Sequence, residues 1–344
     1  MKNAPLCPCC CHIIPDVVFK QLKKEGYDVK NDSTKNLEED FREKRETFMG
    51  ITRALAPQGS GKAERLVYDS RGTSKMKVKM VRKEGDTPNT DPDVNLAYDN
   101  GGIVRDYFKT QLGWDSIDGN ALDLVFNVHY LVRYNNAFWD GEMMTFGDGD
   151  GVIFTSFAKS LDVTGHELAH GVIQYTAGLV YKGQSGALNE HFADVFGISV
   201  KQWHLKQTAQ TSDWLIGAEV LVGKFAGKAI RSFKAPSDKN LVLAVQPEDM
   251  TGIYKGTSDN GGVHTNSGIL NKVFYLVSLE IGTQEAAKLW FEALKLLKPT
   301  AKFQDLYKAL KTAGKMLILT AKVPANTPEV LGKAFIKAGI ITKI

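Results

Sequence analysis

The stretch Ser160-Leu161-Asp162-Val163-Thr164-Gly165-His166-Glu167-Leu168-Ala169-His170-Gly171 carries two histidines four residues apart, with a glutamate beside the first. On a helix, positions i and i+4 project from one face, so both imidazoles can reach a single ion. The flanks also read as helix: Ser160 stands where an N-cap is wanted, Asp162 brings negative charge to the first turn, and Gly178 offers a stop. A catalytic zinc site needs a third protein ligand and an open fourth position. Glu190 is the candidate, in the helical pattern Gly186-Ala187-Leu188-Asn189-Glu190-His191-Phe192-Ala193-Asp194, with 19 residues between it and His170. Asp194 lies one turn further on the same face, placed to accept the free N–H of a ligating imidazole, and Asn189 is a second supporting residue beside Glu190. A Glu and an Asp at i and i+4 repel mildly, so the pair favours a cation nearby. The apolar neighbours Leu188, Phe192, Val195 and Phe196 argue against a merely solvated face.

A third cluster runs from Ser258 to Gly268 as SDNGGVHTNSG. Its adjacent glycines permit unusual backbone angles and close approach. Asp259, five residues before His264, can orient that imidazole and favour its protonated form. Taken alone, the cluster reads equally as a surface turn with an incidental histidine. Tyr181, and the run from Asn135 to Asp140, are likewise compatible with structural aromatic turns.

Around these motifs the chain is an ordinary globular sequence of 344 residues, 43% hydrophobic and 24% charged, with a net charge of only +4. That length suggests about two domains, and the balance gives no argument for nucleic acid or a membrane. The four cysteines are Cys7, Cys9, Cys10 and Cys11, so the body of the chain has no disulfides. Prolines 5, 8 and 15 break any apolar signal-peptide core. Residues 1–50 read as a separate piece. It has a short helix from Asp16 with an apolar face of Ile13, Ile14, Val17, Val18 and Leu22, then a charge-crowded stretch from Lys30 to Arg53. A Gly/Pro/Ser linker follows at 56–62. Strand alternation is expected across Arg65–Arg82, carried by Val78 and Met80, and a helix over Val94–Gln111. Short strands continue to about Phe157, then mostly helix from Ser160 with Gly-rich breaks at 178–186 and 256–268.

His166–His170, Glu190 within GALNE, Asp259–His264 within DNGGVH, and the NNAFWDG and GDGDG segments together resemble the thermolysin family of zinc metalloendopeptidases. The likeness runs from about residue 65 to 344, and the short N-terminal piece with its Ile-Pro element is similar to the protealysin branch. It implies an α+β, two-lobe fold: a propeptide over 1–53, a strand-rich catalytic lobe with the zinc helix over 54–184, and a helical lobe over 185–344. Zinc would be held by His166, His170 and Glu190. Glu167 would be the general base, and Tyr181 with His264 the oxyanion donors, Asp259 holding His264. Asn136, the Ala137 carbonyl and Arg231 would bind substrate backbone. Phe154, Phe157, Val163, Ile216 and Ile230 would line a primed-side pocket for a large hydrophobic residue. The implied partners are protein or peptide substrates and the chain's own propeptide as inhibitor. The expected state is a monomer, secreted without a recognisable signal peptide or cytoplasmic as precursor.

Two departures from the family pattern bear on calcium. Of its paired calcium site, Asp162 and Asp213 match, but Lys201, Leu215 and Ala218 stand at other ligand positions, and Lys228 replaces another acidic ligand. Calcium prefers six to eight oxygens, so zinc alone is expected, with the Lys201 ammonium beside Asp162. Three rival readings are weaker. A zinc aminopeptidase would have different spacing and a GxMEN-type motif, and a non-catalytic zinc protein would not need Glu167. Four cysteines packed between 7 and 11 suit no single tetrahedral ion.

Overall fold

The structure is a computed structural model that describes residues 11–29 and 61–343. Cys7, Cys9, Cys10, the charged stretch and nearly all of the 56–62 linker therefore lie outside the described residues. Six strands form one mixed sheet: β1 (Cys11–His12), β2 (Arg65–Asp69), β3 (Lys79–Lys83), β4 (Leu124–Val128), β5 (Ala137–Trp139) and β6 (Met144–Phe146). Their order is β1-β5-β6-β4-β2-β3, with β4 parallel to both β2 and β6 and the remaining pairs antiparallel. The N-terminal segment thus adds an edge strand to the sheet, His12 opposite Phe138.

The alternation across Arg65–Arg82 resolves into β2 and β3, joined by a turn with Arg71, Gly72 and Lys77 at positive φ. Val78 and Met80, which suggest the strand, are both exposed because β3 is the outer strand of the sheet. Helix α1 (Asp16–Lys24) follows β1, and the expected helix at 94–111 is α2 (Pro92–Leu112), started by the Asp91 cap on Asp93. In α1 the buried side chains are Val18, Phe19 and Leu22, with Ile13 and Ile14 just before it. Val17 instead points to solvent at 51% exposure, because the buried face is centred on Val18, Phe19 and Leu22 and Val17 falls outside that arc. Phe19 packs on Phe154 (ring centroids 6.3 Å apart) and Tyr27 on Phe225 (5.2 Å), fixing the segment over the catalytic body.

The second lobe is helical: α3 (Leu161–Tyr175), α4 (Gly183–His204), α5 (Ser258–Ile281), α6 (Thr283–Leu294), α7 (Phe303–Leu319) and α8 (Thr327–Lys337), with a small β7 (Leu215–Ile216) and β8 (Arg231–Ser232) pair between α4 and α5. Helix α3 lies between β5 and α4, and α4 packs in turn on α5. Gly165 and Gly197 set the closeness of α3 and α4: a Cβ on Gly165 would lie 3.0 Å from the Gly197 Cα, and one on Gly197 only 2.5 Å from the Asp162 carbonyl. That approach brings the histidines of α3 to the carboxylates of α4. Both Gly-rich breaks are shorter than the composition suggests, since α4 begins at Gly183 and regular helix resumes at Val263.

Candidate active site

Ser160 occupies the N-cap of α3, but its hydroxyl does not cap the helix; it donates to Asp162 Oδ1 at 2.6 Å. Gly178 adopts φ +57°, and its N–H closes onto the Ile173 carbonyl, ending the helix as expected. Between these ends His166, Glu167 and His170 are all buried, facing Glu190 and Asp194 of α4.

The two imidazoles are oriented from behind. His170 Nδ1 lies 2.8 Å from Asn189 Oδ1, and His166 Nδ1 lies 2.9 Å from Asp194 Oδ1. Both Nδ1 atoms therefore carry protons, which leaves bare lone pairs on the two Nε2 atoms. Those atoms point at one another across 3.0 Å, with the Glu190 oxygens 3.6 Å from His166 Nε2 and 3.5 Å from His170 Nε2. Burial drives His166 down to about 4 against the pull of Asp194, and His170 to about 3 against that of Glu190, so both stay neutral at physiological pH. Glu190 Oε2 has no hydrogen-bond partner among the described residues. Two buried lone pairs and a buried carboxylate converging on one point leave net electron density that only a cation can neutralise. The donor set fits zinc: two imidazoles and one carboxylate whose ligand atoms all lie within 4.8 Å of one another.

Glu167 accepts from the Trp139 N–H at 2.9 Å through one oxygen, and its other oxygen has no partner among the described residues. Burial and the neighbouring Glu190 charge raise its carboxyl well above the usual range. His264 is held at Nδ1 by Asp259 Oδ1 at 2.6 Å, while its Nε2 lies 3.1 Å from the Tyr181 hydroxyl. The Tyr181 hydroxyl also donates to Glu190. Burial opposes a charge on His264, but the carboxylates of Glu190 and Asp259 outweigh it and lift the imidazole to about 9. Four successive residues, Asp259 to Gly262, have left-handed φ, which swings the Asp259 carboxylate back onto the His264 ring and N–H. A side chain at Gly262 would be strained at φ +79° and would strike Tyr254 at 2.5 Å.

The backbone-binding residues meet in the same cleft. The Ile13 N–H donates to the Ala137 carbonyl (3.3 Å), Asn136 bonds both the N–H and the carbonyl of Ile14 (3.0 Å each), and Arg231 donates to the Ile13 carbonyl at 2.8 Å. His264 Nε2 stands 3.0 Å from the His12 carbonyl. Phe154, Phe157, Val163, Ile216 and Ile230 are fully buried in the apolar cluster that also holds Ile13 and Ile14.

Three features escape the sequence. Arg231 forks onto Asp194 (2.7–3.2 Å), so the residue that orients His166 also anchors the guanidinium; burial would raise the Asp194 carboxyl, but Arg231 and His166 hold it well below the usual range. Asn271 donates to the other side of Asp194 at 2.8 Å and is itself fixed by His191, which accepts from the Trp290 indole. Glu219 joins Asp162 around Lys201. Each joins residues at least 18 positions apart in the chain, with no local spacing to reveal it.

A mixed-sheet lobe, a helical lobe and a buried HExxH…E centre between them define a zinc-dependent peptidase. The comparisons narrow this further. Residues 25–174 match the model of the thermolysin metallopeptidase catalytic domain and 177–338 that of its alpha-helical domain. An extracellular metalloprotease of Pectobacterium carotovorum is 37% identical over 323 residues, 88% of this chain and 89% of that protein. A thermolysin of Alicyclobacillus acidocaldarius is 39% identical over 250 residues, 70% of this chain but only 44% of that longer protein. Among solved structures, the precursor of protealysin from Serratia proteamaculans superposes with TM-score 0.81 at 35% identity, covering 96% of this chain and all of that one. The chain belongs to the thermolysin family of metallopeptidases, on its protealysin-like side, and is a hydrolase of peptide bonds.

Proposed function

We propose that the chain is the zymogen of a zinc endopeptidase that cuts before large hydrophobic residues. One observation carries the reading: residues 12–14 lie in the cleft as a peptide, engaging Ala137, Asn136, Arg231 and His264 together. His166, His170 and Glu190 would hold the zinc, whose Lewis acidity polarises the scissile carbonyl and acidifies water at the site. Glu167, its carboxyl raised by burial, takes a proton from the attacking water and hands it to the leaving amine. Tyr181 and His264 donate to the carbonyl oxygen as negative charge develops there, and Asp259 keeps the His264 ring aimed. Asn136, Ala137 and Arg231 hold the substrate backbone in register. The pocket of Phe154, Phe157, Val163, Ile216 and Ile230 offers only apolar surface, which favours a large hydrophobic residue on the amine side of the cut.

In this reading residues 1–53 are a propeptide that occupies the cleft until it is removed, 54–184 the catalytic lobe and 185–344 the helical lobe. The enzyme acts as a monomer, on protein substrates outside the cell, as the Pectobacterium relative's name suggests for that protein. No described helix is long and apolar enough to cross a membrane. Calcium has no role, because Lys201 Nζ lies 2.8 Å from Asp162 and 3.0 Å from Glu219 and supplies the positive charge itself. Casein digestion with and without 1,10-phenanthroline, with the cut sites sequenced, tests the function. Chelator-sensitive cuts before Leu, Ile or Phe are expected; chelator-resistant digestion, or cuts with no apolar preference, would refute it.

A further inference from the structure

Building on the peptidase reading, we infer that the chain presents its own His12–Ile13 peptide bond to the catalytic centre and hydrolyses it. His264 Nε2 lies 3.5 Å from Glu190 Oε2, one of the three metal-binding side chains, and the backbone carbonyl it faces at 3.0 Å is that of His12. The bond after that carbonyl leads to Ile13, whose N–H faces the Ala137 carbonyl and whose own carbonyl faces Arg231. Asn136 then fixes Ile14 on both sides. Donors and acceptors are thus satisfied in order along three consecutive residues, as a bound substrate requires. Ile13 is also fully buried and apolar, the class of residue expected on the amine side of the cut.

The step needs only water. The water oxygen bonds to the His12 carbonyl carbon, the carbon–nitrogen bond to Ile13 breaks, and a water proton passes through Glu167 to the Ile13 nitrogen. The products are a carboxylate at His12 and an amine at Ile13. They separate unequally. The fragment ending at His12, which carries all four cysteines, is held in the described residues by the two-residue β1 pairing, the His264 contact and the packing of the His12 ring on Phe138. The new chain start keeps Ala137, Asn136 and Arg231, together with the buried Val18, Phe19 and Leu22 of α1. This cut therefore sheds the cysteine-bearing peptide while the primed side of the cleft stays filled.

The test uses the full zinc-loaded chain at neutral pH, followed by intact mass and N-terminal sequencing. A new terminus reading Ile-Ile-Pro-Asp-Val is expected, formed at a first-order rate unchanged by tenfold dilution, and absent in Glu167→Ala. A second readout needs no turnover. In full-length Glu167→Ala, the Ile13 and Ile14 amides should exchange with deuterium at least ~100-fold more slowly than open amides, and Ile14 should lose that protection when Asn136→Ala is added. Casein hydrolysis without a terminus at Ile13, a first cut elsewhere, or freely exchanging Ile13 and Ile14 amides would overturn the proposal alone. Protected amides in a chain that cuts neither itself nor casein would overturn the peptidase reading together with it.

Discussion

Helices α3 and α4 carry two buried charge clusters one turn apart, and the clusters solve the same problem in opposite ways. At the start of α3, Asp162 is completely buried and completely partnered: Ser160 and the Gly217 N–H serve Oδ1, and the Lys201 ammonium serves Oδ2 at 2.8 Å. Four residues on, His166 joins His170 and Glu190 in a group whose lone pairs face one another, with Glu190 Oε2 making no hydrogen bond among the described residues. The first cluster brings its own cation in the sequence; the second is complete only with an ion from outside. Burial works against the Lys201 charge, yet Asp162, Glu219 and Asp213 outweigh it and raise its pKa. A third group lies between these extremes. His129 has Asp148 at 3.0 Å on Nδ1 and Asp91 at 2.8 Å on Nε2, so both ring nitrogens hold protons and neither offers a lone pair to a metal. Its cation is present only while the imidazole is protonated.

The comparison predicts different responses to perturbation. The largest belongs to Glu167, which is not a ligand: Glu167→Ala should retain zinc stoichiometry yet lower kcat/KM on a peptide substrate by about 10⁴-fold. Wild-type turnover in that variant would break the assignment of the general base. Next comes Lys201→Ala, which leaves Asp162 buried without its cation. A loss of about 3–5 kcal/mol in chemical denaturation is expected, partly recovered in millimolar calcium because the vacated space is then lined by carboxylates. Variant stability equal to wild type would mean that the ammonium is not what neutralises Asp162. His264→Ala should lower kcat by roughly 10²–10³-fold with KM less affected, since Tyr181 and the metal still act on the carbonyl oxygen. The smallest effect concerns His129. Asp148, helped by Asp91, raises this imidazole to about 9 despite burial. Its stabilisation is thus complete below about pH 6.5 and is lost as pH climbs through about 9. The melting temperature of wild type, measured against His129→Gln, should fall across that window; a parallel pair of curves would show that the imidazolium contributes nothing.

Much of the centre is legible in the sequence because it is written in helical spacing. His166 and His170 lie four apart on α3, Glu190 and Asp194 four apart on α4, and Asp259 reaches His264 within one turn and bend. The partners that arrive from elsewhere are not legible. Arg231 comes from β8 to fork onto Asp194, Asn271 from α5, and Glu219 from the loop after β7. Only the packing of α4 on its neighbours creates those contacts. The strand at Cys11–His12 is equally silent: two residues carry no period, and their extended form is imposed by the open edge of β5. In the strand-rich lobe, exposure of Val78 and Met80 shows that alternation locates an outer strand less well than it does a buried one.

Metal-dependent melting of the purified full-length chain tests the contrast between the two clusters most directly. A folded-state ligand stabilises by RT ln(1 + [L]/Kd), so the ion-requiring cluster must show concentration dependence and the self-neutralised one must not. After chelation, added zinc is predicted to raise the melting temperature progressively, while millimolar calcium with zinc kept saturated moves it by less than about 1 °C. A calcium shift of several degrees, or no response to zinc, would contradict the account.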